Sequence, residues 1–315
     1  MRIVFAGTPD PALPSLRALV ASSHEVVAVV TRTDAPRGRK RVLTASPVAG
    51  AAAALGIPVI KTDRLDSAAT TAIAELRADL GVIVAYGALV PEPLLSTPRL
   101  GWINLHFSLL PRWRGAAPVQ HALIAGDREI GAAVFQLVPA LDAGDVYRTV
   151  RYPVPRGATA GQVLDALAQL GATAVTEVVD ALAAGTARAE PQVGQSTIAP
   201  RLTLADGALD LREGADRVLD RFRGTTPEPG AHVVFDGQRF KIHGAVSGPD
   251  TDLPPGALAL RNGQVLVGTG AGSIVLTHVQ PAGKSAMAAG DWWRGVRAAD
   301  PRIDLPHAPS AGARS

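Results

Sequence analysis

Asn104 and His106 stand two residues apart in the stretch "INLHFSLLPRWRGAAP", residues 103–118. On an extended backbone residues i and i+2 leave the same face, so the carboxamide and the imidazole enter one space while Ile103 and Leu105 turn toward a core. A carboxylate follows in "ALDAGDVY" (140–147), where Asp142 and Asp145 sit in a Gly-containing turn after a strand-like run. The set offers an amide donor, an imidazole and a carboxylate, with no strong nucleophile beside them and no second or third His at metal-ligand spacing. Such a set suits direct acyl transfer between two bound substrates: Asn104 and a protonated His106 can stabilise an oxyanion, and an Asp can hold His106 charged and relay protons. Ser108 is a poor nucleophile candidate because it lacks the G-x-S-x-G elbow. Structural readings stand beside the chemical ones: a His at a strand end is often simply hydrogen-bonded, and Asp142 could cap its own turn. His24, His121, His232, His243, His278 and His307 have no comparable neighbours.

The elements that must position these groups follow from the rhythm of the first half. Short β-branched runs, "RIVFA" (2–6), "EVVAVV" (25–30), "IPVI" (57–60), "LGVIVA" (80–85), "WINLH" (102–106) and "GAAVFQLV" (131–138), alternate with Ala- and Leu-rich helical segments. Continuous apolar strands separated by helices predict an α/β fold, a mainly parallel sheet with helices on both faces. Ligand sites in such sheets lie outside the carboxyl ends of the strands, where Asn104 and His106 fall. The first glycine turn, "AGTPDPA" (6–12), lacks the G-x-G-x-x-G spacing, and Pro9 and Pro11 remove two amide donors, which argues against a nucleotide cofactor.

After a helical stretch at 159–185 the texture changes. Residues 186–209 carry Pro, Gln, Gly, Thr and Asp without sustained period and read as a linker. An amphipathic helix at about 211–222 precedes strand-like runs at 231–237, 238–245, 256–263, 264–270 and 273–280, a spacing that suggests a small β-barrel. The expected division is a catalytic domain at 1–187, a linker at 188–205 and a barrel domain at 206–315.

Composition sets the outer limits. The 315 residues are 47% hydrophobic and 19% charged, enough to bury sizeable cores. The absence of cysteine excludes disulfides, thiolate metal sites and a Cys nucleophile. No signal peptide stands at the start and no uninterrupted apolar stretch reaches ~18 residues, so a soluble cytoplasmic protein without a membrane partner is expected. The net charge of +3 is mild evidence for an anionic partner. Its distribution is more telling: residues 32–41 hold Arg32, Arg37, Arg39, Lys40 and Arg41 against Asp34, five positive charges less one negative, or +4. Charge alone leaves that segment open between a solvated loop and an RNA-binding one. Residues 206–315 hold 12 Lys+Arg and 12 Asp+Glu, a net of zero that argues against a strongly RNA-binding barrel.

The segment 103–118, together with "LDAGDV" (141–146), the opening "MRIVFAGTPDPA" and "VIVAYGALVPEPLL" (82–95), resembles the methionyl-tRNA formyltransferases. The similarity runs over almost the whole chain and is densest in residues 1–150. It implies transfer of a formyl group from 10-formyltetrahydrofolate to the amino group of methionyl initiator tRNA, by a monomer with a formyltransferase α/β domain and a C-terminal OB-like barrel. No metal is implied. The family's catalytic Asn, His and Asp match Asn104, His106 and Asp142, and its folate-binding motif matches Ser108, Leu109, Leu110 and Pro111. Its basic insertion, which enters the tRNA acceptor end, matches Arg37, Arg39, Lys40 and Arg41. Phe107 stands where a small residue is common in that family. Three other readings of the same residues remain: a formyltransferase for a sugar amine or purine precursor, a folate-binding hydrolase that releases formate, and a nucleic-acid-binding protein without catalysis. The fate of a labelled formyl carbon separates them.

Overall fold

A computed structural model describes residues 1–37 and 41–305, and of Arg37 only the backbone. The main sheet has seven strands: β1 (Arg2–Gly7), β2 (Glu25–Thr31), β3 (Val59–Lys61), β4 (Leu80–Val84), β5 (Trp102–His106), β6 (Glu129–Gln136) and β7 (Val146–Pro153). Their order across the sheet is β7-β6-β5-β4-β1-β2-β3. The five strands from β5 to β3 in that order run parallel, and β6 and β7 are antiparallel at one edge. The parallel strands are written as continuous apolar runs because both of their faces are covered. Ile3, Val4, Phe5 and Ala6 of β1, for example, are wholly buried.

Two compact units emerge. The first comprises Met1–Val119, Glu129–Val154 and Val163–Arg201; the second comprises Gln120–Arg128, Pro155–Gln162 and the residues from Leu202 on. A plain division at 187 and 206 differs from this in two ways. Short segments at 120–128 and 155–162 cluster with the second unit, and residues 188–201 cluster with the first.

On the sheet, α1 (Leu13–Val20), α2 (Pro47–Ala54), α3 (Ser67–Glu75) and α5 (Ala160–Ala184) supply the covering layers, with α4 (Pro118–Ile124) following the loop after β5. Ser46 caps α2 by accepting from Ala49 N, and Asp66 caps α3 by accepting from Ala69 N, as short polar residues at helix starts do. Helix α5 is long and apolar enough to cross a membrane by length and composition. Here it serves as a core helix: Val163, Leu167, Val175 and Val179 are fully buried. Gly171 lets it lie directly on the strand that carries the site, since a Cβ there would stand 2.6 Å from a methyl of Leu105.

Between β2 and α2, where an uninterrupted α/β rhythm would give a plain loop, Ala35–Arg37 and Val42–Thr44 pair as a two-stranded antiparallel ribbon. Arg41 closes it with φ at +49°. Among its described residues, the large apolar side chains of Val42 and Leu43 face solvent.

The second unit holds a six-stranded antiparallel sheet built from β8 (His232–Phe235), β9 (Gln238–Ser247), β10 (Leu258–Arg261), β11 (Gln264–Gly268), β12 (Ser273–Gln280) and β13 (Met287–Ala288). The order is β8-β9-β12-β11-β10, with β13 on the far part of β12. Helix α6 (Ala215–Gly224) sets Val218 and Phe222, one turn apart, into the core formed by Val233, Phe240, Ile242, Val267, Ile274 and Val279. The strand-dense pattern of the last hundred residues is therefore an OB-like antiparallel sheet, as the turn spacing predicts.

Candidate active site

Strand β5 alternates as its sequence requires: Ile103 and Leu105 are buried on one face, and Trp102, Asn104 and His106 leave the other. Trp102 anchors this second face, fully buried with its indole N–H donating to Leu94 O at 2.9 Å. Asn104 lies next along it. Its carboxamide oxygen is buried without a hydrogen-bond partner. Buried polar atoms are rarely left so, and an orphan at a cleft wall marks a place for a ligand.

That cleft has a volume of about 260 Å³. Asn104 and Ile83 form its floor from adjacent parallel strands, the segment 88–92 after β4 forms one wall, and residues 137–142 form the other, ending at Asp142. The lining is chiefly apolar with few polar groups, the usual character of a small-molecule site.

The wall that carries Asp142 is a loop with closed ends. It leaves β6 where Leu137 N donates to Trp102 O (2.7 Å) and returns where Gln136 N donates to Asp145 O (2.9 Å). Asp142 occupies the left-handed region at φ +45°. Its Oδ2 accepts the amide proton of Gly115 at 2.8 Å and lies 3.7 Å from His106 Nδ1. His106 is 6% exposed and is fixed from its other side, where Nε2 donates to Trp113 O at 2.8 Å. A carbonyl only accepts, so Nε2 carries a proton in either charge state and the titrating nitrogen is Nδ1, the one that faces Asp142. Burial is the main influence on the imidazole and holds its pKa below the usual 6.5. Asp142 and the Trp113 carbonyl oppose that shift, and Arg114 adds to it.

The loop after β5 thus supplies two backbone groups that no side-chain motif reveals: the Trp113 carbonyl for His106 and the Gly115 amide for Asp142. Gly115 has φ at +117°, and a Cβ there would lie 2.7 Å from Ala199 O. That neighbour belongs to a segment expected to be a linker. Instead, Ile198–Ala199 pair in parallel with Arg114–Gly115. Thr197 Oγ1 accepts from Trp113 N at 2.9 Å, and Glu190 exchanges backbone hydrogen bonds with Val146. The signal for this in the sequence is slight: Ile198 and Ala199 are too short a run to read as a strand.

The structure brings Asn104, His106 and Asp142 together. The other named residues fall elsewhere. Ser108 is buried with its hydroxyl donating to Arg112 O at 2.7 Å, and the four residues 108–111 are not among those lining this cleft. Phe107 is buried away from the cleft and does not narrow it. Asp145 is exposed on the outer side of its loop. Arg39 and Lys40 lie outside the described residues, as does the side chain of Arg37, while Arg41 is exposed on the ribbon after β2.

The family described as formyl transferase matches residues 1–179, and the formyl transferase C-terminal domain matches residues 201–297. Among relatives named methionyl-tRNA formyltransferase, that of Leifsonia xyli subsp. xyli is 60% identical over 296 residues, covering 94% of this chain and 98% of the relative. That of Clavibacter sepedonicus is 58% identical over 301 residues, covering 95% and 99%. Among solved structures, the N-formyltransferase from Helicobacter canadensis superposes with a TM-score of 0.67 at 15% identity, over 89% of this chain and 98% of that one. HypX from Aquifex aeolicus, solved with tetrahydrofolic acid, gives 0.67 at 19% identity over 93% of this chain, which spans about half of HypX (46%). These last two share the fold. The full-length matches decide the family: this chain belongs to the methionyl-tRNA formyltransferases.

Proposed function

We propose that this chain moves the formyl group of 10-formyltetrahydrofolate to the α-amino group of methionyl initiator tRNA. The observation that carries the reading is that Asn104 and Asp142 line one cleft and His106 stands 3.7 Å from that Asp142 carboxylate, in a chain of this family. The neutral amine attacks the formyl carbon, a C–N bond forms, and the carbonyl electron pair moves to oxygen. The Asn104 amide donates to that oxyanion, supported by His106 when Nδ1 is protonated. The proton lost by the amine enters the His106–Asp142 pair. As the bond from the formyl carbon to the folate nitrogen breaks, that nitrogen keeps the electron pair and takes the proton, so the enzyme ends unchanged.

The low pKa imposed by burial suits this relay. It leaves Nδ1 free to accept a proton near neutral pH, while Asp142 keeps the charged form within reach. Ser108, Leu109, Leu110 and Pro111 shape the turn beyond β5 and meet the folate from outside the cleft that Asn104 and Asp142 line. The basic stretch of sequence after β2 that holds Arg37, Arg39, Lys40 and Arg41 takes the acceptor end of the tRNA. The chain acts as a cytoplasmic monomer.

The test is to incubate the protein with 10-formyltetrahydrofolate labelled on the formyl carbon, offering methionyl-tRNA, a sugar amine or water as acceptor. Label in the methionyl-tRNA is expected. Label released as formate, or found only on the sugar, overturns the assignment.

A further inference from the structure

Gln192 lies in the segment between α5 and the second unit, 50 residues from Asp142, yet its carboxamide joins two loops of the active site, the one after β6 and the one after β5. Its Nε2 donates to the carbonyl of Asp142 at 2.8 Å and to that of Gly144 at 2.9 Å. Its Oε1 accepts from Arg114, at 2.6 Å from Nη2 and 3.2 Å from Nε. Arg114 immediately precedes Gly115, the residue whose N–H holds the Asp142 carboxylate. The bonds close a ring: the main chain of Asp142 is tied to Gln192, Gln192 to Arg114, and Gly115 back to the side chain of Asp142.

Such a ring answers a physical need. Asp142 sits in the left-handed region, which a non-glycine residue occupies only when its surroundings fix it. Its 3.7 Å distance from His106 Nδ1 depends on where that strained backbone lies. Only a primary amide of this length meets both demands, with two N–H groups for two carbonyls and one oxygen for a guanidinium. A carboxylate would face Arg114 well but would set negative charge against the carbonyls of Asp142 and Gly144.

We propose that Gln192 is a positioning residue for formyl transfer, acting through Asp142 by fixing its backbone against the loop that holds His106. This rests on the reading of Asp142 given above. A misplacement of about 1 Å in a reacting constellation can cost on the order of 10²-fold in rate. Gln192→Glu is accordingly expected to lower kcat by about 10- to 100-fold, with KM for methionyl-tRNA within about twofold of the original. A residue that only stabilised the fold would lower the amount of active enzyme and spare the kcat of the folded fraction.

The experiment is a double-mutant cycle on the full chain, with Gln192→Glu, Asp142→Asn and both together, measured as single-turnover formyl transfer. The loss from Gln192→Glu should nearly vanish in the Asp142→Asn background. Gln192→Leu, which adds no charge, repeats the cycle in case the glutamate unfolds the loop. Unchanged kcat in both Gln192 variants, or a fully additive loss in the cycle, overturns the proposal while leaving the site reading intact. Near-normal turnover by Asp142→Asn alone removes the site reading, and the proposal with it.

Discussion

His106 Nδ1 and Asp142 Oδ2 are 3.7 Å apart, close enough to attract and too far to share a proton at rest. The imidazole cannot turn away, because Nε2 is committed to the Trp113 carbonyl. The carboxylate cannot drift, because Gly115 holds it. Both side chains are therefore held in place, with the Asp142 carboxylate on the wall of the cleft and the imidazole beside it.

Replacing Asn104 or His106 by Ala should lower kcat for formyl transfer by about 10²–10³ each, the usual cost of removing one donor to an oxyanion, and Asp142→Asn should lower it by about 10²-fold or more by taking the carboxylate out of the proton relay. The fold should persist, since none of the three fills a large volume in the core. Pre-steady-state transfer and circular dichroism on the same samples check both halves. Turnover near normal in His106→Ala would refute the assignment.

The imidazole of His106 should titrate below 6.5 by NMR, because burial disfavours its charge. Asp142→Asn should lower the pKa further by removing an attraction, and Arg114→Met should raise it by removing a repulsion. The sign for stability follows. A depressed folded pKa means that the unfolded chain binds more protons between that value and 6.5, so the contribution of His106 to stability falls as pH drops through that window. Denaturant midpoints of wild type and His106→Gln across pH 5–7 would reveal it, and the wild type should show the steeper loss.

Gly115→Ala should abolish most activity and destabilise the first unit. At φ +117° a side chain is strained by roughly 1–3 kcal/mol. The added methyl also meets Ala199 O, so the ribbon between 114–115 and 198–199 must shift and carry the Gly115–Asp142 hydrogen bond with it. A crystal structure or thermal melt indistinguishable from the parent would contradict this.

Arg39→Ala, Lys40→Ala and Arg41→Ala together should raise KM for methionyl-tRNA while sparing KM for the folate donor. The slope of log affinity against log salt should flatten by roughly 0.7–0.9 for each phosphate that is no longer neutralised. An unchanged slope would return the ribbon to an ordinary solvated surface.

Much of this architecture is legible in the sequence. The apolar runs of β1, β2, β4 and β5 are strong signals because a doubly covered parallel strand has no polar face, and the period of two alone places Asn104 beside His106. Strand β7, "VYRTVRYP", carries no such signal: it is an edge strand with Arg148 and Arg151 exposed, so no apolar run betrays it. The ribbon at 35–44 is masked in the same way, because Pro36 and a cluster of charges make it read as a loop. The supports of the site are the least visible. Trp113 and Gly115 act through backbone groups that every residue has, and Gln192 through a hydrogen bond that spans 50 residues of sequence. Chemistry carried by side-chain type leaves a mark in the sequence, whereas chemistry carried by main-chain position leaves almost none.

Because residues 190–199 are woven into the loops around Asp142 and His106, the catalytic half of this chain is not a detachable cassette that ends where α5 ends. A chimaera joined at residue 187 would keep Asn104, His106 and Asp142 and still inherit foreign partners for Arg114, Trp113 and Val146. A junction beyond Arg201, where the first unit ends, leaves their own partners in place. Upstream of that point, the sequence that looks like a tether carries hydrogen bonds to the loops around His106 and Asp142.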